Sequence, residues 1–184
     1  MYLRIIVGFS CKGQENIPVE GPAIICSNHI HLFDPLSICV CTKRIITYLA
    51  KKELFASKIS KWFFSSCYAI PVSRDGNDAY SLKKSLEVIK KNELLGLFPE
   101  GTREKDAIAL KFKAGVSMLA TKTEVPVIPV FISGSYRFNG KLKVIIGKAI
   151  DLREYYGKKL TSQEYSYISN EIVAKKIFEL KECV

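Results

Sequence analysis

The chain has 184 residues, with 28 Lys and Arg against 18 Asp and Glu, for a formal net charge of +10. At 48% hydrophobic and 25% charged residues it carries enough apolar material for a sizeable core, which excludes global disorder, and its length suits one domain, residues 1–184. The charge favours anionic partners such as phosphate esters, an anionic membrane or nucleic acid, and composition alone does not choose among them.

In chain order, short apolar runs rich in β-branched residues predict strands at Arg4–Phe9, Ala23–Cys26, Ile45–Leu49, Ala69–Val72, Leu94–Phe98, Val127–Ile132 and Val144–Ile146. Helical patterns lie between them at Pro35–Cys41, Lys52–Cys67, Asn77–Lys91 and Lys113–Thr121, with a last one at Ser162–Lys181. This alternation predicts an α/β sandwich, a central largely parallel or mixed sheet flanked by helices. Within Lys52–Cys67, Phe55, Ile59, Trp62, Phe63 and Ser66 recur at helical spacing while Lys58 and Lys61 fall to the other side. That pattern fits either an interfacial amphipathic helix or an ordinary helix packing on the sheet. Ser162–Lys181 places Ile168, Ile172, Ala174, Ile177 and Leu180 on one face and reads as a cover for the core.

The six cysteines, Cys11, Cys26, Cys39, Cys41, Cys67 and Cys183, include no C-x-x-C pair, and several sit in apolar runs as small hydrophobes. With no secretory signal at the N-terminus, a reducing, cytoplasmic setting is expected. No uncharged stretch approaches the ~20 apolar residues of a membrane-spanning helix, so membrane contact is expected to be peripheral, at the cytoplasmic face.

Two junctions concentrate the reactive residues. Both histidines of the chain stand in Ser27-Asn28-His29-Ile30-His31-Leu32-Phe33-Asp34, just before Pro35. A carboxylate beside an imidazole fixes its tautomer and lets it act as a general base on a hydroxyl, and a loop folding back over five residues would bring Asp34 to His29. Asp34 before Pro35 also fits a helix N-cap, which would leave His29 a polar loop residue. The second junction, Phe98-Pro99-Glu100-Gly101-Thr102-Arg103, follows a buried strand and suits a turn. Arg103 offers a planar fork for phosphate, and Lys111 or Lys113 adds charge near a helix start; the same run also fits a solvated basic loop. In open α/β sheets ligands bind at the carboxyl ends of strands, where both segments fall.

Asn28-His29-x-x-x-x-Asp34, Phe98-Pro99-Glu100-Gly101-Thr102-Arg103 and Val125-Pro126-Val127-Ile128-Pro129-Val130, in this order, resemble the boxes of the glycerolipid acyltransferase family, most of all its lysophosphatidic acid acyltransferases. Lys51-Lys52-Glu53-Leu54 and Ile70-Pro71-Val72-Ser73-Arg74 resemble the second block, and the likeness runs from about residue 13 to 150. The resemblance implies transfer of a fatty acyl group from acyl-CoA or acyl carrier protein to the free hydroxyl of a lysophospholipid acceptor, without a metal or other cofactor. It gives His29 the role of base and Asp34 that of orienting it. It assigns acceptor binding to Glu100, Gly101, Thr102, Arg103 and Arg74, with Lys51 or Lys52 adding positive charge; the tetrahedral intermediate also calls for an oxyanion donor, for which backbone N–H groups near Gly101 are the candidate.

The chain departs from the family pattern in three places: it begins almost directly at the catalytic domain, Ser73 stands where an acidic residue often precedes the arginine, and Tyr68 stands near an expected glycine. Competing readings are a metal-dependent hydrolase using His29, His31 and Asp34, and a non-catalytic module binding anionic lipid. Glycerol-3-phosphate or another lysophospholipid are alternative acceptors. The sequence carries no RNA-binding aromatic signature or helix-turn-helix pattern, so no nucleic-acid partner is expected. Ser10, Ser27, Ser133 and Ser135 are rival nucleophiles, but none sits in a G-x-S-x-G elbow.

Overall fold

A computed structural model describes residues 7–72, 78–100 and 112–183. Among the described residues seven strands form one sheet: β1 (Ser10–Lys12), β2 (Ala23–Ser27), β3 (Ile46–Lys51), β4 (Ala69–Val72), β5 (Leu94–Leu97), β6 (Val127–Ser133) and β7 (Lys143–Ile146). Their order is β1-β7-β6-β2-β5-β3-β4, and every pairing is parallel except that of β6 with β7. The central strands β2 and β6 are buried along nearly their whole length because helices or loops cover both faces, which is why they read as continuous apolar runs. On one face Ile24, Leu95 and Val127 pack with Val88, Val116, Leu119 and Ile177 from the helices; on the other Ile25, Ile46 and Ile128 pack with Ile38 and Ile146.

The helices are α1 (Asp34–Cys39), α2 (Lys58–Ser66), α3 (Asp78–Lys90) and α4 (Gly115–Thr123), followed by a C-terminal helical segment. Three expectations shift. The first described strand is Ser10–Lys12; of the expected Arg4–Phe9, residues 4–6 fall outside the described ones and residues 7–9 are not strand. The expected helix Lys52–Cys67 is a 3-10 turn, Lys52–Phe55, then α2, because Ser57 and Ser60 form a reciprocal capping box that starts a new helix. The expected helix Ser162–Lys181 runs as α5 (Ser162–Tyr167), a π-helical stretch Ile168–Ala174 and α6 (Lys175–Glu179), ending in a 3-10 turn at Leu180–Cys183. The wide turn buries Ile168 and Val173, five apart, with Ile172 half-buried against the same cluster, while Ser169 Oγ donates to Ser117 Oγ at 2.9 Å.

Tyr68, the residue near an expected glycine, has φ 55° at the turn between α2 and β4. It occupies a left-handed conformation that a glycine adopts without strain. Ser73 and Arg74 lie outside the described residues.

Candidate active site

β2 and β5 are adjacent parallel strands, and both junctions leave the sheet at their carboxyl ends. Asn28, directly after β2, locks its loop to β6: its Oδ1 accepts from Ile132 N–H at 2.7 Å and its Nδ2 donates to Ile132 O at 2.9 Å. This side chain imitates a strand partner, a role outside the sequence reading.

The loop then turns sharply around Asp34, which is fully buried. Asp34 Oδ2 accepts from Ile30 N–H at 2.6 Å, from His31 N–H at 2.7 Å and from His29 Nδ1 at 2.7 Å. Its other oxygen, Oδ1, accepts from the hydroxyl of Tyr136 at 2.7 Å. Four donors compensate the cost of taking this carboxylate out of water. The expected N-cap role is therefore corrected: Phe33 occupies the cap position with no side-chain bond, Asp34 is the first helical residue, and its carboxylate serves the preceding loop. Since a carboxylate only accepts, the hydrogen shared with His29 sits on Nδ1, which in a neutral imidazole leaves the lone pair on Nε2, the tautomer a general base requires.

The His29 ring stacks on Phe98 at 4.3 Å between centroids, and Phe98 stacks on Tyr48 at 5.6 Å. Glu100, buried in the turn after β5, accepts from His29 N–H through Oε2 at 3.3 Å. The second junction is thus tied to the first by the Glu100 carboxylate as well as by the ring stack. His31 takes another direction: its ring stacks on Tyr136 at 4.4 Å, and it does not join His29 on a shared site. Among the described residues no three His, Cys, Asp or Glu side chains gather as a metal site. Ser27 is fully buried and its hydroxyl donates to the Asn28 carbonyl at 3.0 Å.

His29 lines a cavity of about 850 Å³ between the sheet and its helices. Leu49 and Leu97 from the strands, Phe63 and Phe64 from α2, Leu82 from α3 and Leu119 from α4 make it largely apolar, with Lys51 and Lys113 among the few charged groups on its wall. Of the two neighbouring lysines, it is Lys51, the last residue of β3, that faces the cavity. Gly101, Thr102, Arg103, Lys111 and Arg74 lie outside the described residues.

Tyr136 is the site residue that sequence reading passed over. Its one signal is position: it follows the carboxyl end of β6, next to β2. Burial, helped by the Asp34 charge, pushes its phenol well above the usual tyrosine range, so it stays a hydrogen-bond donor.

The family model described as Acyltransferase matches residues 8–133, more than half of the chain. The chain belongs to the Acyltransferase family. It is 30% identical over 180 residues to a 1-acyl-sn-glycerol-3-phosphate acyltransferase of Bacillus subtilis (strain 168), covering 95% of this chain and 88% of that one. A chloroplastic relative of the same enzyme name from Brassica napus is 30% identical over 161 residues, 80% of this chain and 45% of its own length. The crystal structure of the 1-acyl-sn-glycerophosphate (LPA) acyltransferase PlsC from Thermotoga maritima aligns with a TM-score of 0.68 at 28% identity, covering 94% of this chain and 72% of that chain. The α/β fold expected from the alternation of strands and helices and the O-acyltransferase class expected from the boxes both stand.

Proposed function

We propose that this chain transfers a fatty acyl group from an acyl thioester, acyl-CoA or acyl carrier protein, to the free hydroxyl of lysophosphatidic acid, forming phosphatidic acid for phospholipid synthesis. The observation that carries this reading is the 2.7 Å contact of His29 Nδ1 with buried Asp34 on the wall of a largely apolar cavity. The cavity suits an acyl chain, and the names of the relatives supply the acceptor.

In this mechanism His29 Nε2 takes the proton from the acceptor hydroxyl, and the oxygen attacks the thioester carbonyl. The tetrahedral intermediate collapses by breaking the C–S bond, and the imidazolium returns its proton to the departing thiolate. Asp34 stabilises the imidazolium through Nδ1 throughout. The acceptor phosphate falls to Arg74 and Arg103, with Lys51 adding charge at the cavity wall, and Gly101 and Thr102 belong to the same acceptor-binding box as Arg103. Glu100 holds the His29 backbone against the end of β5. The chain needs no metal or other cofactor for these steps. The net charge of +10 supports a site of action at the anionic cytoplasmic face of a membrane.

The test is incubation of purified protein with labelled acyl-CoA or acyl carrier protein and lysophosphatidic acid, beside glycerol-3-phosphate and other lysophospholipids. Phosphatidic acid as the main product supports the reading. Transfer only to another acceptor would replace the substrate, and no transfer from either donor would overturn it.

A further inference from the structure

Helix α2 presents two different apolar faces. Phe63, Phe64 and, just after the helix, Cys67 turn inward and line the cavity, and Phe64 packs on Phe55 at 5.5 Å between ring centroids. Ile59 and Trp62 turn outward and are 81% and 71% exposed. At 100° per residue, Ile59 and Trp62 share one stripe with the small polar Ser66, and Lys58 and Lys61 run along one edge of it. The neighbouring turn adds one exposed cation, Lys52, beside one acid, Glu53. Large exposed apolar side chains held side by side and bordered by cations are costly in water and suit the headgroup boundary of an anionic bilayer, where an indole is especially favoured.

We infer that α2 is the membrane-contact element of this chain. Ile59 and Trp62 insert into the headgroup zone of an anionic bilayer, Lys58 and Lys61 pair with lipid phosphates, and the inner face of the same helix walls the cavity. The helix therefore stands between the cavity and the bilayer, so a lipid acyl chain has only one helix thickness to cross between them. This assignment rests on the proposed lipid chemistry for its purpose, but its evidence is the exposed stripe and its charges.

Trp62 is the sole tryptophan of the chain, so its emission reports this contact directly. With phosphatidylglycerol vesicles the emission is expected to shift to the blue and to be quenched by lipids carrying a quencher near the headgroup, and to change little with phosphatidylcholine vesicles. Ile59→Ser and the double variant Lys58→Glu/Lys61→Glu are each expected to weaken vesicle binding by roughly tenfold, since each removes an inserted apolar side chain or a pair of surface cations. Both are also expected to keep native turnover on a short-chain acceptor dissolved in water. An unchanged Trp62 emission while the protein co-sediments with the vesicles would overturn the assignment, as would native vesicle binding by both variants. A blue shift in a protein with no turnover on any acceptor would support α2 as the contact and overturn the catalytic reading instead.

Discussion

The hydroxyl of Tyr136 donates to Asp34 Oδ1 at 2.7 Å, joining residues 102 positions apart and filling the oxygen that His29 does not use. The same hydroxyl reaches Ser37 Oγ at 3.0 Å, and the Tyr136 ring stacks on His31, so Tyr136 braces the turn that carries the base from its middle to the start of α1. Hydrogen bonds to charged groups contribute about 1.5–3 kcal/mol. Tyr136→Phe is expected to lower kcat by roughly tenfold to a hundredfold with little change in KM, because it disturbs Asp34 rather than the bound lipid. Steady-state kinetics check this, and an unchanged kcat would show that Asp34 needs no second support.

Gly96 in β5 lies directly under the Tyr48 ring, and a Cβ there would collide with Cε1 and Cδ1 of that ring. Tyr48 stacks on Phe98, and Phe98 on His29. Gly96→Ala is therefore expected to destabilise the fold by about 1–3 kcal/mol through overpacking and to reduce activity through the displaced rings. Denaturant titration and turnover measured on the same variant check both halves.

Tyr68 holds a left-handed backbone at φ 55° with its side chain exposed. Relief of that conformation by Tyr68→Gly is expected to stabilise the chain by about 1 kcal/mol, less the extra entropy glycine gains on unfolding. A raised denaturation midpoint is the expected result, and a lowered one would mean that the side chain contributes more than its exposure indicates.

Burial pushes the Cys39 thiol up from its ordinary 9.0 to about 11, and raises Cys26 and Tyr136 further. Each folded-state value lies above the unfolded one, so these groups leave stability unaffected below pH 9.0 and remove it as pH rises through the window from 9.0 to about 11 and beyond. A denaturation midpoint that falls steadily from pH 9 upward is expected; a flat profile to pH 11 would contradict the burial of these groups.

The parallel core was readable because β2 and β6 are buried on both faces and appear as unbroken apolar runs. His29 and Asp34 were readable because their contact spans only five residues. Contacts between distant segments left no such trace: Asn28 reaches Ile132 and Tyr136 reaches Asp34 across more than 100 residues. The break before α2 escaped because its capping box uses Ser60 where the familiar pattern has Glu or Gln. The π turn at Ile168–Ala174 escaped because a 3.6-residue period steps from Ile168 to Ile172 and passes over Val173, which the wider turn buries fully beside them.

The most direct test of the central claim is acyl transfer to lysophosphatidic acid by the native chain and by His29→Ala under identical conditions, with circular dichroism showing that both are folded. Loss of the general base is expected to reduce kcat by about 10²–10⁴-fold. A folded His29→Ala protein that turns over at the native rate would contradict the account.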